Sequence, residues 1–244
     1  MLIHQEQPYI LPLCEEKLAI LYEDDHLLIC NKPSGLLSLP GKHPLNQDSV
    51  LTRLQAQYNH AALAHRLDLD TSGIILAAKN KTAHAHLNKQ FADRLIKKHY
   101  TAIVNGAVTP QSIAALYTDH ISLTINTNGF TEGSINLPMR ANPEKKPTQK
   151  ICFESGKQAL SYFEVSYYNA KNDTSTIQLK PHTGRSHQLR LHCLALGHPI
   201  IGCDLYADKA AFEKADRLCL HASAIRFKHP ATLMPMSVHC PTPF

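Results

Sequence analysis

Apolar residues along this chain fall mostly into short, strand-length runs and take up a helical spacing in only a few places. Residues 18–22 and 27–30 are such runs, joined by the polar Glu23-Asp24-Asp25-His26, which predicts a hairpin closed by a four-residue loop. Asn31-Lys32-Pro33-Ser34-Gly35 and then Pro40-Gly41 interrupt the pattern and put residues 31–47 in turns and loops. Asp48 is placed to cap a helix whose Val50, Leu51, Leu54 and Tyr58 share one side. A stronger helix is expected after a cap at Thr82. Its Ala83, Leu87, Phe91 and Leu95 recur every four residues, and Lys97-Lys98 stand where the dipole favours cations. Tyr100 follows on a strand, and between the two helices the polar residues 65–73 form a loop feeding a buried strand at 74–78.

Farther on, residues 118–150 are polar and punctuated by Gly129, Gly133, Pro138, Pro143 and Pro147, which reads as strands on an exposed arm. Residues 161–168 and 176–180 look like paired strands across a turn at 169–173. A helix over 186–196 is stopped by Gly197, a short helix covers 209–216, and a last strand runs over 218–227. No repeat and no linker divides the chain. These elements predict one α+β domain over residues 1–244, a mainly antiparallel sheet flanked by helices and split by a cleft.

Composition narrows the class further. Of 244 residues, 43% are apolar and 18% charged, which excludes a disordered or low-complexity chain. The longest apolar stretches fall far short of the ~20 residues of a membrane-spanning helix, and the start MLIHQEQPYILP lacks the pattern of a secretion signal. Seven cysteines without a C-x-x-C pair suit a reducing compartment better than a disulfide framework or structural zinc, so the expected location is cytoplasmic. A formal charge of +5 permits a polyanionic partner without demanding one.

Two segments concentrate reactive side chains. His65-Arg66-Leu67-Asp68-Leu69-Asp70-Thr71-Ser72-Gly73 holds two carboxylates, a cation, an imidazole and two hydroxyls beside a buried strand; a solvated turn reads equally well from composition alone. His182-Thr183-Gly184-Arg185-Ser186-His187-Gln188-Leu189-Arg190-Leu191-His192 sets positive charge at a helix start, where backbone N–H groups and guanidinium forks suit a phosphate or carboxylate, although a plain helix cap with a basic face is the simpler reading. His182, His187 and His192 are five apart and turn to different faces of a helix, so no metal site is expected.

These residues carry a resemblance to the RluA-type pseudouridine synthases. Residues 65–73 match the family's H-R-L-D-x-x-T-S-G, and residues 183–190 its T-G-R-[TS]-H-Q-[IL]-R. Lys97-Lys98-His99-Tyr100 resembles K-K-x-Y, Asn31-Lys32-Pro33-Ser34-Gly35 resembles N-K-P-x-G, and Leu220-His221-Ala222 the late L-H-A. Five motifs stand in order from residue 31 to 222. Ser186, Leu189 and residues 35–41 and 197–202 resemble most the branch that modifies both a hairpin-loop uridine of 23S rRNA and an anticodon-loop uridine of tRNA. The resemblance implies the pseudouridine synthase catalytic fold, a curved antiparallel sheet with a central RNA-binding cleft. Many members append an N-terminal S4 domain, for which the roughly 17 residues before the first strand leave no room.

The implied reaction is isomerisation of uridine within RNA, with Asp68 as the catalytic carboxylate. Arg185 is expected to pair with Asp68 and offset its desolvation. Tyr100 would stack on the target base and assist a proton transfer, Leu189 touch the ring, and Arg66 support the RNA after the uridine leaves the stack. Thr71 and His187 complete the expected substrate contacts. Lys97, Lys98, Arg140, Lys145, Lys146 and Lys150 are candidates for the RNA backbone, although a solvated charge is the plainer reading of each. His65 is expected to pack or hydrogen-bond within its loop, and Asp70, at a variable place in the signature, to be structural. Cys203, where relatives often carry Asp, is expected to be an inert thiol, and residues 118–134 look longer than in those relatives. No cofactor, metal, DNA or membrane partner is implied, and the chain is expected to act on RNA as a monomer. Two competing classes remain: a glycoside or nucleoside hydrolase using Asp68 and Asp70 as paired carboxylates, disfavoured by their spacing and by the absence of Trp, and an RNA-binding protein without chemistry.

Overall fold

The structure, a computed structural model, describes residues 10–244; the start of the chain, read above for a secretion signal, lies outside the described residues up to Tyr9. The expected hairpin is present as β1 (Ala19–Glu23) and β2 (Leu27–Lys32). A long loop leads to α1 (Val50–Gln55), then β3 (Ala62–Leu63), β4 (Ser72–Ala78), α2 (Lys81–Ala92) and β5 (Lys97–Asn105). A 3-10 turn at Ala115–His120 precedes β6 (Ile121–Ile125), β7 (Thr131–Asn136), β8 (Met139–Ala141) and β9 (Gln149–Ile151). The rest is β10 (Leu160–Asn169), β11 (Thr174–Pro181), α3 (Gln188–Ala195), α4 (Lys209–Phe212), β12 (Leu220–Lys228) and β13 (Pro235–His239).

Strands β1-β2-β4-β12-β5-β11-β10-β7-β6 hydrogen-bond in that order, with β3 on β4 and β13 on β12, to form one eleven-stranded sheet. Its ladders are antiparallel except that of β4 with β12. The continuous apolar runs of β2 and β4 follow from burial on both faces. Leu27, Ile29, Ile74 and Leu76 pack with Ala83 and Leu87 of α2, whereas Leu28, Cys30, Ile75 and Ala77 join the larger core on the other face. The parallel register sets His221 beside Ser72 and Ala222 beside Gly73. At Gly73, φ is +109° and a Cβ would stand 2.4 Å from the Ala222 carbonyl oxygen, so this contact requires the glycine that ends the 65–73 motif. The loop before β4 is thereby delivered to the middle of the sheet, near Tyr100 on β5.

Several local expectations are corrected. Ser49, not Asp48, caps α1: its Oγ accepts from Thr52 N–H while Thr52 Oγ1 accepts from Ser49 N–H, and Asp48 pairs with Arg53 at 2.7 Å instead. Asn80, not Thr82, caps α2 by accepting from Ala83 N–H at 2.9 Å. That helix ends at Ala92; Arg94 takes a left-handed φ of +57°, Leu95 turns outward, and Lys97-Lys98 open a strand rather than close a helix. The segment 118–150 is not one exposed arm. Strands β6 and β7 extend the main sheet beyond β10, where buried Ile121, Thr131 and Ile135 hold them, and only β8 and β9 form a separate two-stranded sheet. The strand expected to be last, β12, is followed by β13.

Candidate active site

A cleft of about 420 Å³ opens where the 65–71 loop, the end of α2, β5 and the start of α3 converge. Its volume is in the range of sites that enclose a small molecule or a single nucleotide. Asp68 is the one carboxylate among the described residues lining it, against five cations: Arg66, Arg94, Lys98, Arg185 and Arg190. Such a ring focuses positive potential on a polyanion while leaving one acidic group inside.

The loop carrying Asp68 is pinned on either side by the end of β2 and the segment that follows it. Ser38 Oγ donates to the Leu67 carbonyl at 2.7 Å and accepts Leu67 N–H at 3.0 Å. Lys32, fully buried, donates to the carbonyls of Pro33, Leu36 and Leu69 at 2.8, 2.6 and 2.7 Å. Gly35 N–H donates to the same Leu69 carbonyl, and Ser34 Oγ to that of Asp70. Burial pushes the Lys32 ammonium down to about 7, with Asp70 and Asp68 acting in the opposite sense. Three carbonyl acceptors nevertheless need three N–H donors, which only the protonated amine supplies. The backbone before and after Asp68 is thus fixed while its carboxylate, which makes no ion pair within 4.0 Å among the described residues, faces the cleft.

Beside it, Tyr100 is 8% exposed, and burial first and the Asp68 charge second raise its hydroxyl pKa. Leu189 and Leu220 add apolar wall, and Thr71 lines the floor. His65 is held neutral: burial, with Lys98 adding to it, pushes it down to about 3, its Nε2 accepts Leu76 N–H at 3.0 Å, and its ring lies 4.9 Å from Phe91. Burial raises the Asp70 carboxyl, which is not among the lining residues.

The T-G-R segment is organised by Gln188. Its Oε1 accepts from Thr183 Oγ1 at 2.7 Å and from Arg185 N–H at 3.0 Å, and its Nε2 donates to the Leu160 carbonyl and Ser161 Oγ. These bonds turn Arg185 outward, and the expected Asp68–Arg185 ion pair is not formed. Arg185 Nε donates instead to the Gln158 carbonyl at 3.1 Å at the cleft rim. The buried guanidinium is that of Arg190, 2% exposed on α3. Burial works against its charge, but Cys203, Asp204 and Asp68 outweigh this and raise its pKa. Arg190 is the buried cation of the cleft that reading the motif alone did not single out; its signal was a charge within the largely apolar run of α3.

Other expected contacts are distributed. Arg66, Asp68, Thr71, Lys98, Tyr100, Arg185 and Leu189 meet in the cleft. His187, the left-handed residue opening α3, is not in its lining; its Nδ1 shares a hydrogen bond with the Tyr206 hydroxyl at 2.8 Å. Lys97 is exposed on β5 and donates to the Arg94 carbonyl. Arg140 and Lys150 are on the β8–β9 sheet, with Lys145 and Lys146 in the turn between its strands. Lys145 and Lys150 border a different groove, while Arg140 bonds Ser155. None of these four is among the residues lining the cleft.

The sequence profile of the RNA pseudouridylate synthase family matches residues 26–195. The dual-specificity RNA pseudouridine synthase RluA of Haemophilus ducreyi is 45% identical over 230 residues, covering 94% of each chain. The Escherichia coli K12 protein of the same name is 44% identical over 233 residues, 96% of this chain and 97% of that one. Among solved structures, human RNA pseudouridylate synthase domain containing 1 superposes with a TM-score of 0.72 at 27% identity, covering 96% of this chain and 86% of that one. A profile match across most of the core, relatives aligned nearly end to end and a shared fold lead to one conclusion: the chain belongs to the RNA pseudouridylate synthase family, among its RluA-type enzymes.

Proposed function

We propose that the cleft takes a uridine everted from an RNA stem-loop and that Asp68 is the carboxylate that reacts with it. The observation carrying this reading is the lone acidic side chain, its flanking backbone pinned by Lys32 and Ser38, within a ring of five cations. In the isomerisation the N1–C1′ bond breaks, the uracil turns in place and C5 bonds to C1′; the proton displaced from C5 is balanced by one on N1, so no atom is gained or lost. A carboxylate suits this role because it can add and leave again while ionised. The buried Arg190 guanidinium lines the same cleft as Asp68. Tyr100 offers its ring as the stacking face and Leu189 closes the apolar side. Arg66, Arg94, Lys98 and Arg185 meet phosphates at the mouth and offset the few kcal/mol that eversion costs.

Loop uridines cost least to evert, and the relatives' dual specificity supports one rRNA and one tRNA stem-loop as substrates, a 23S hairpin and an anticodon arm. The enzyme then works in the cytoplasm as a monomer without a cofactor. The test is a pseudouridine map of all rRNA and tRNA with and without the gene, together with Asp68→Asn on synthetic stem-loops. Loss of pseudouridine formation with RNA binding retained is expected. Turnover by the variant would refute Asp68 as the reacting group, and uracil release would point to hydrolysis instead.

A further inference from the structure

The segment that follows α3 contributes side chains that the reaction described above does not use. Cys203 is 1% exposed, and its Sγ accepts from Arg190 Nε at 3.3 Å and Nη2 at 3.2 Å. The neighbouring Asp204 accepts from the same Nη2 at 2.5 Å. The Tyr206 ring lies 5.5 Å from the guanidinium carbon, on a third side. Its hydroxyl is fixed in turn by His187 Nδ1 and by Gln149 N–H, each at 2.8 Å. The turn itself is tied down, with Ala207 N–H on the Cys203 carbonyl and Gly202 N–H on that of Ala211. A planar, forked cation held on three sides has one orientation left.

The chemistry of these three groups is unequal, and that has a consequence. A cysteine sulfur is a weak acceptor, and this one occupies two N–H donors of one guanidinium. Asp204 does bring charge, but its side chain is 52% exposed, so water screens part of its hold. An aromatic face orients a cation and leaves its formal charge intact. Arg190 is therefore satisfied as a donor and held in one place in the cleft it lines together with Asp68.

We propose that Cys203, Asp204 and Tyr206 are positioning residues of the isomerase, holding the Arg190 guanidinium in one orientation in the wall of the cleft that Asp68 also lines. The inference rests on Asp68 being the reacting carboxylate. None of the three touches the RNA. They act through Arg190, so their loss lowers turnover and displaces the acid limb of the pH–rate profile while substrate affinity stays put.

The experiment uses the full chain and a synthetic stem-loop substrate that the wild-type enzyme modifies. Turnover at saturating RNA, kcat/KM from pH 5 to 9, RNA affinity and thermal melting are measured for each variant. Misplacing a group by an ångström costs on the order of 100-fold in rate. Asp204→Ala and Cys203→Val are expected to lose about 10- to 100-fold in kcat, with RNA affinity unchanged within about twofold and the acid limb moved to higher pH. Cys203→Ser, which keeps an acceptor, retains activity. The decisive variant is Cys203→Asp combined with Asp204→Ala, which moves the carboxylate to the adjacent residue. It is expected to recover most of the rate lost by Asp204→Ala and to return the acid limb.

Recovery by this transposition cannot come from a bulk effect on folding. A double variant that melts like the wild type and stays as slow as Asp204→Ala overturns the proposal, as does a folded Asp204→Ala or Cys203→Val with wild-type turnover and pH profile. If Asp204→Ala fails to fold, the Cys203→Val and Cys203→Ser pair decides by the same criteria. Asp68→Asn runs alongside: activity in that variant removes the assignment of Asp68, whereas an inactive Asp68→Asn with an indifferent Cys203 and Asp204 series removes only the positioning role.

Discussion

Replacing Ser38 by alanine tests how the loop is held, because one hydroxyl satisfies both polar groups of the residue before Asp68. Ser38 is 4% exposed, and its Oγ donates to the Leu67 carbonyl at 2.7 Å and receives Leu67 N–H at 3.0 Å. Truncation leaves both backbone groups without a partner in an interior that admits little water. An unsatisfied buried polar group costs about 1–3 kcal/mol, so two amount to about 2–5 kcal/mol after some relaxation. At about 2–4 °C per kcal/mol for a chain of this size, the midpoint of thermal unfolding should fall by roughly 5–15 °C. The same change frees the peptide N-terminal to Asp68, so turnover should fall on the order of tenfold even at temperatures where the variant is fully folded. Thermal melting by circular dichroism and single-turnover pseudouridine formation on one stem-loop measure the two effects separately. A midpoint within about 2 °C of the wild type together with an unchanged rate would show that the hydroxyl does not hold the loop.

The remaining predictions concern the two arginines of the T-G-R segment and the fold's response to acid. Arg190→Met should depress turnover far more than Arg185→Met, because the first removes the buried cation of the cleft and the second a cation at its rim. Arg185→Met should instead weaken RNA binding and flatten its salt dependence by about one phosphate contact, and equal losses of turnover in both would refute the distinction. Asp24 closes the first hairpin turn. Burial works against its charge, but N–H groups of His26 and Leu27, the Tyr22 hydroxyl and His229 outweigh this and hold it down at about 2. A depressed carboxylate stabilises the fold above its ordinary value of 3.8, and the contribution is lost as pH falls from there through about 2. Urea titrations should show stability falling across that window in the wild type and a shallower fall in Asp24→Asn; identical slopes would remove Asp24 as the source.

Much of the fold was legible along the chain because its signals are local. The polar break at residues 23–26 needs only a tight turn, and β1 and β2 pair across it. The apolar run at 74–78 is too short for a helix and lies in β4, and the strands at 161–168 and 176–180 pair in the β10–β11 ladder. Cap residues were less legible, since Asp48, Ser49, Asn80 and Thr82 all have the chemistry of a cap and only the path of the incoming chain selects among them. The strands at 121–136 were misplaced for a related reason. Their polar alternation fits an arm as well as a sheet edge, and the choice depends on whether β10 offers a free ladder.

The reactive groups divide in the same way. The sequence by itself determined that a carboxylate, a tyrosine and a basic helix start exist in motifs of known spacing, because backbone conformation and reactivity are encoded within a few residues. Only the tertiary structure decided that Arg190 rather than Arg185 is buried, that Lys32 anchors Leu69 from 37 residues away, and that Cys203 and Asp204 hold Arg190. Those outcomes depend on which neighbours desolvate a charge and satisfy its donors, and such neighbours come from distant parts of the chain that no local pattern can rank.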